Sequence, residues 1–177
     1  MTAGGRGPML APSTTREATT HGHHHHRAAT GGRTVTARTA LLGFVAGVLS
    51  VLVFHQGTVW LLHMAGVLPN GPYSLRPVPT AFNLPQIVNQ CFWGGVWGVV
   101  IALVLSRVRA GREVVTAVLF AAVALSLTNW VVLPAIRGTP MFAGGVFARM
   151  WPAPVIASAF GFGVAQFLGL LRGRRAT

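Results

Sequence analysis

Four stretches of this chain carry no formal charge: Thr39 to Leu75, Pro77 to Ser106, Val114 to Ile136 and Met150 to Leu171, with His55 and His63 the only members able to gain one. About 20 predominantly apolar residues suffice for a helix to cross the hydrocarbon of a bilayer, and each stretch contains such a run. They predict four transmembrane helices, near 39–67, 85–106, 113–134 and 151–171. Four helices buried in a soluble bundle would need polar outer faces, which these segments lack. Composition agrees: only 9% of residues are charged, where a soluble domain averages about 25%. The expected fold is all-α, a polytopic membrane protein whose four helices form an antiparallel bundle.

All 14 basic residues are Arg, against 2 acidic ones, for a net charge of +12. Nucleic-acid binding would need these cations gathered on one folded face. They punctuate the apolar runs instead, so no nucleic-acid partner is expected. With four spans, the N-terminus, the second connection and the C-terminus share one side, which holds Arg33, Arg38, Arg107, Arg109, Arg112, Arg172, Arg174 and Arg175. The other side has Arg76, Arg137 and Arg149. The positive-inside rule therefore predicts both termini in the cytoplasm, with attraction to anionic headgroups a secondary effect.

Residues 1–36 are expected to be a disordered tail rich in Arg, His, Thr and Gly, and residues 37–177 the membrane domain. The tail carries His21, His23, His24, His25 and His26. Clustered imidazoles can hold a transition metal, but a low-complexity segment explains them as well. The length of the tail and of the first apolar run argues for a retained anchor over a cleaved signal. Cys91 stands alone near the outer end of the second helix, where it is expected to pack as a small apolar residue.

The first outer connection contains Pro69, Pro72, Pro77, Pro79 and Pro85, which predict a stiff, non-helical path. The third, bounded by Pro134 and Pro152, either lies on the surface or dips into the bundle. The short turn around Arg107 to Arg112 predicts that helices two and three are antiparallel neighbours. Close helix approach in lipid relies on small residues. The fourth helix has Ala153, Ala157, Gly161, Ala165 and Gly169 at every fourth position; the first has Gly43 and Gly47, the second Gly94 and Gly98. These faces are expected to pack within the bundle, with a homodimer seam as the alternative. Trp60, Trp93, Trp130 and Trp151 fall near outer helix ends as in an aromatic belt, and Trp97 is expected to fill space against the glycines.

One constellation could carry chemistry. His55 and Gln56 lie roughly 25 Å along the first helix from Arg38, at a depth comparable to Asn89, Gln90 and Asn129. Gln90 shares a stripe with Gly94 and Gly98, and Asn129 with Ala122 and Ser126, so both should face helices. Unpaired polar groups are costly in lipid, which makes mutual hydrogen bonding the first expectation. An ionisable residue at this depth is also a functional candidate, and His55 could carry a proton in a polar vestibule. Haem ligation by His55 and His63 is disfavoured, because both lie on one helix about 12 Å apart. The chain has no Asp, and its two Glu, Glu17 and Glu113, lie away from the cluster. That removes carboxylate acid–base pairs and Ser-His-Asp arrangements, so an enzyme is the weakest reading and no cofactor is expected. Glu113 suits a helix N-terminus.

The segments LLGFVAGVLSVLVFHQG, FWGGVWGVV and VVLPAIRGTPMFAGG, with the Pro-rich loop between the first two, resemble the uncharacterised small four-helix inner-membrane proteins of Gram-negative bacteria over about residues 38–171. That resemblance implies fold and location without a mechanism. The function expected from the sequence is a structural or accessory subunit, surrounded by the lipid bilayer and partnered by a larger membrane complex or further copies of itself. The alternative is a small transporter or channel component that uses the His55 cluster.

Overall fold

The computed structural model describes residues 27–173. The His tract at 21–26, and with it the metal candidates of the tail, lies outside them. Four helical spans are long and apolar enough to cross a membrane: Thr36–Met64, Gln86–Leu105, Glu113–Arg137 and Phe147–Leu171. The first comprises α1 (Arg27–Ser50), a π-helical turn (Val51–His55) and α2 (Gln56–Met64). The second is α3 (Gln86–Leu105). The third joins α4 (Glu113–Leu127), a second π turn (Thr128–Val132) and α5 (Leu133–Arg137). The fourth runs through α6 (Phe147–Met150) into α7 (Pro152–Leu171).

One boundary differs from the sequence expectation. α1 begins at Arg27, so residues 27–36 are helical where the sequence suggested an unstructured tail. Extending an existing helix costs little per residue once its nucleus is fixed, which carries it through the weak helix formers Gly31, Gly32 and the threonines. The first long loop also contains a short antiparallel pair, β1 (Pro77–Val78) with β2 (Leu84–Pro85), closed by a 3₁₀ turn at Pro79–Ala81. This loop supplies acceptors to the start of α3. The Gln86 and Ile87 N–H groups, which have no partner within their own helix, donate to the Arg76 and Ser74 carbonyls at 3.0 and 3.1 Å.

Small residues decide which helices meet. A Cβ built on Gly43 would lie 2.7 Å from Ala102 Cβ and 2.8 Å from the Gly98 carbonyl oxygen. One on Gly47 would strike the Gly94 backbone. The first and second spans therefore pack backbone to backbone, in the close-approach mode that small residues permit in lipid. On the fourth span, Gly161 faces the third, with Ala117 and Ala121 against it, while Gly163 faces the first, with Ser50 and Phe54 against it. Two residues apart on a helix point to nearly opposite sides. The fourth span is thus clamped between the first and third. Ser50 adds a buried hydrogen bond from Oγ to the Phe160 carbonyl at 2.7 Å.

This order places the spans as second–first–fourth–third, with extensive packing at each step. The second and third touch much less than their short connection suggested. Their closest aromatic link is Trp97 with Phe120, ring centroids 6.5 Å apart. Trp97 thus reaches the third span, where packing against the glycines was expected. The core runs along the fourth span, through Phe160, Val164 and Leu168, to Ile101, Leu105, Ala117 and Ala121. Cys91 packs against its edge. The third connection is exposed nearly throughout from Ala135 to Arg149, so it does not dip into the bundle.

Candidate functional site

The π turns set the geometry of the loop-proximal half. Along the first span, Gly43, Gly47 and Val51 are spaced by four and all meet the second span; Val51 stands against Gly94. A regular helix would put His55 next on that face. In the π turn the Gln56 N–H reaches back to the Val51 carbonyl, an extra residue is taken up, and Gln56 takes the place. Gln56, only 2% exposed, donates from Nε2 to Gln90 Oε1 at 2.8 Å. His55 instead lines a cavity between the spans.

The second π turn has a cause in the sequence. Pro134 has no N–H, and its ring would crowd the carbonyl four residues back, at Trp130. The helix adjusts by widening: the Leu133 N–H donates to Thr128 in place of Asn129. π turns inside α-helices occur frequently at functional sites. Here two of them flank one cavity.

That cavity, of about 220 Å³, lies between all four spans in the half near the long loops. His55, Gln90, Thr128 and Asn129 supply its polar lining, Trp93 and Trp97 its aromatic lining. Ala153 and Ala157, the first members of the fourth span's small-residue stripe, form part of its wall. His55 Nδ1 is buried with no hydrogen-bond partner. Ser126 Oγ and Trp130 Nε1, on the third span, are unpartnered as well, but neither residue lines the cavity.

The hydrogen-bond chain behind the cavity fixes the amide orientations. The backbone N–H of Tyr73, which can only donate, bonds Gln56 Oε1 at 2.8 Å. Gln56 must then offer its Nε2 to Gln90 Oε1. Gln90 is left with its NH₂ group for the cavity. Tyr73 also donates its hydroxyl to the Leu52 carbonyl at 2.7 Å, an acceptor that the Gln56 N–H would take in a regular helix. The first loop thus folds back along the first span and locks the π turn.

Of the five polar residues singled out from the sequence, His55, Gln90 and Asn129 line the cavity, Gln56 supports it from behind, and Asn89 lies outside it, half-buried. Asn129 is exposed although its stripe partner Ser126 is buried, because the π turn begins between them. Among the small residues, Gly43, Gly47, Gly94, Gly98, Ala157, Gly161 and Ala165 are buried between helices, whereas a Cβ on Gly169 would meet nothing within 4 Å. Tyr73, Thr128 and Gly163 were not singled out, and Trp93, read as part of an aromatic belt, lines the cavity. His63 is engaged elsewhere, with Nδ1 against the Leu68 carbonyl at 2.8 Å. Among the described residues, no three His, Cys, Asp or Glu side chains converge on a possible metal site.

Comparison with known proteins returns no match: no family model, no curated protein and no solved structure is significantly similar to this chain.

Proposed function

We propose that this chain is an integral protein of the bacterial inner membrane with both termini in the cytoplasm, and that it acts as an accessory subunit that binds a small ligand from the membrane. The observation that carries this reading is the cavity, with the unpartnered His55 Nδ1 in its wall. A buried polar atom without a partner costs about 1–3 kcal/mol. An incoming hydrogen-bonding group would recover that energy. The small-residue seams suit a rigid scaffold that positions such a site and docks beside a larger membrane complex or a second copy.

Orientation rests on the distribution of Arg, and reporter fusions at the C-terminus and at the third connection test it. The C-terminal fusion should be active only as a cytoplasmic reporter; activity of an exported reporter there would reverse the assignment. The binding role is tested by purification from native membranes with the co-purifying proteins and lipids identified. A transporter reading draws on the same His55. It is weakened by the Trp97–Phe120 contact between the second and third spans on the terminal side of the cavity. Solute flux in liposomes containing only this protein, abolished by His55→Ala, would replace the accessory reading.

A further inference from the structure

We infer that the cavity takes an uncharged, membrane-dissolved molecule with a planar, carbonyl-bearing head, of which a lipid quinone is the type. This rests on the binding role proposed above and names its ligand class. Three properties of the cavity lead there.

Its charge comes first. Among the described residues lining it there is no Arg, Asp or Glu, and His55 is the only titratable group. A phosphate or carboxylate head would be desolvated there with no countercharge, which is expensive. A neutral head is not penalised in this way.

Its hydrogen-bonding sense comes second. The Tyr73–Gln56–Gln90 chain engages Gln90 Oε1 and leaves its NH₂ group able to donate. His55 Nδ1 is free to donate in its Nδ1–H tautomer. Asn129 adds an amide from the third span. His55, Gln90 and Asn129 can each donate, one from each of three spans, which suits a ligand whose polar atoms are acceptors set around a rigid ring. Carbonyl oxygens on a quinone ring meet that requirement.

Shape and access come third. Trp93 and Trp97, one turn apart on the second span, present aromatic surface to the cavity. Offset stacking of a flat ring on indole is favourable beyond the burial of area alone. The second and third spans pack less than their neighbours do, and Trp93 and Asn129, one on each, are both exposed. A head carried on an apolar tail can enter there from the lipid, with its tail remaining outside.

The test uses the full chain in phosphatidylcholine nanodiscs, titrated with decylubiquinone and followed by tryptophan quenching and thermal unfolding. Decylbenzene serves as a probe with the same tail and no carbonyls. Saturable binding of decylubiquinone only, weakened at least about tenfold in His55→Leu and partly restored in His55→Gln, is the expected result. Equal affinity in wild type and His55→Leu, with both variants showing a wild-type unfolding transition, would overturn the assignment. If His55→Leu fails to fold, Asn129→Leu provides the comparison: it lies on the exposed face and should weaken binding without loss of the fold. Equal binding of decylbenzene would remove the carbonyl-headed ligand while leaving a binding cavity in place. Saturable binding of neither probe, together with no lipid or partner retained on purification, would remove both readings.

Discussion

Replacing Gly98 by alanine sets two opposing energies against each other. Alanine in a helix interior is favoured over glycine by about 1 kcal/mol. Against that, a Cβ at Gly98 would lie 2.7 Å from Gly47 Cα and 2.9 Å from Gly47 N, and would also strike the Gly43 carbonyl. Ordinary carbon–carbon contact is about 3.5–4.0 Å. All three atoms belong to backbone, so no side chain can rotate away, and the first and second spans must separate by about 1 Å. A radial gap of that size forfeits a quarter to a half of the dispersion energy of the contacts it opens. Overpacking of this kind costs typically about 1–3 kcal/mol. The clash should outweigh the gain, with Gly98→Ala destabilising by up to about 2 kcal/mol after the propensity gain is subtracted. Gly169→Ala is the control: its added methyl meets nothing within 4 Å, so only the propensity gain remains. The assay is reversible unfolding in dodecyl maltoside, with both variants read against wild type. Equal stabilities for the two variants would refute the claim that backbone contact at Gly98 holds these spans together.

Two further outcomes follow from the loop-proximal half. Tyr73→Phe removes the hydroxyl that caps the Leu52 carbonyl; a loss of about 1 kcal/mol is expected, with faster hydrogen exchange and proteolysis in residues 68–78, and unchanged exchange there would mean that Tyr73 does not secure the loop. Pro134→Ala restores a donor for the Trp130 carbonyl, so the π turn should relax and Asn129 should leave the cavity wall; decylubiquinone affinity should fall roughly fivefold, the equivalent of one hydrogen bond of about 1 kcal/mol, while stability holds or rises.

The four spans were legible in the sequence because their signal is a run of uncharged residues, and charge is the dearest thing to place in lipid. The glycine seams were legible for a related reason: Gly43, Gly47, Gly94 and Gly98 each repeat at a spacing of four, which is one helix face. Gly163 shares that spacing only with Ala159, too short a pattern to stand out, so its role against Ser50 and Phe54 emerges once the fourth span is seen between two neighbours. The polar cluster was drawn on idealised helices, whereas the first π turn brings Gln56 in place of His55 to the face that meets Gln90. Pro134 carried a usable signal for the second π turn, since a proline inside an apolar run must displace the carbonyl four residues earlier. For the first π turn no local residue gives such notice. It coincides with contacts from Tyr73, at a sequence distance of 21 residues from Leu52, that periodicity does not register.

What co-purifies with the protein tests the proposed ligand most directly. Protein purified from native membranes in mild detergent, extracted with organic solvent and analysed by mass spectrometry, should yield a carbonyl-headed neutral lipid in near-stoichiometric amount, reduced in the Asn129→Leu variant prepared in parallel. Extracts of wild type and variant that contain the same phospholipids and no neutral lipid would contradict it.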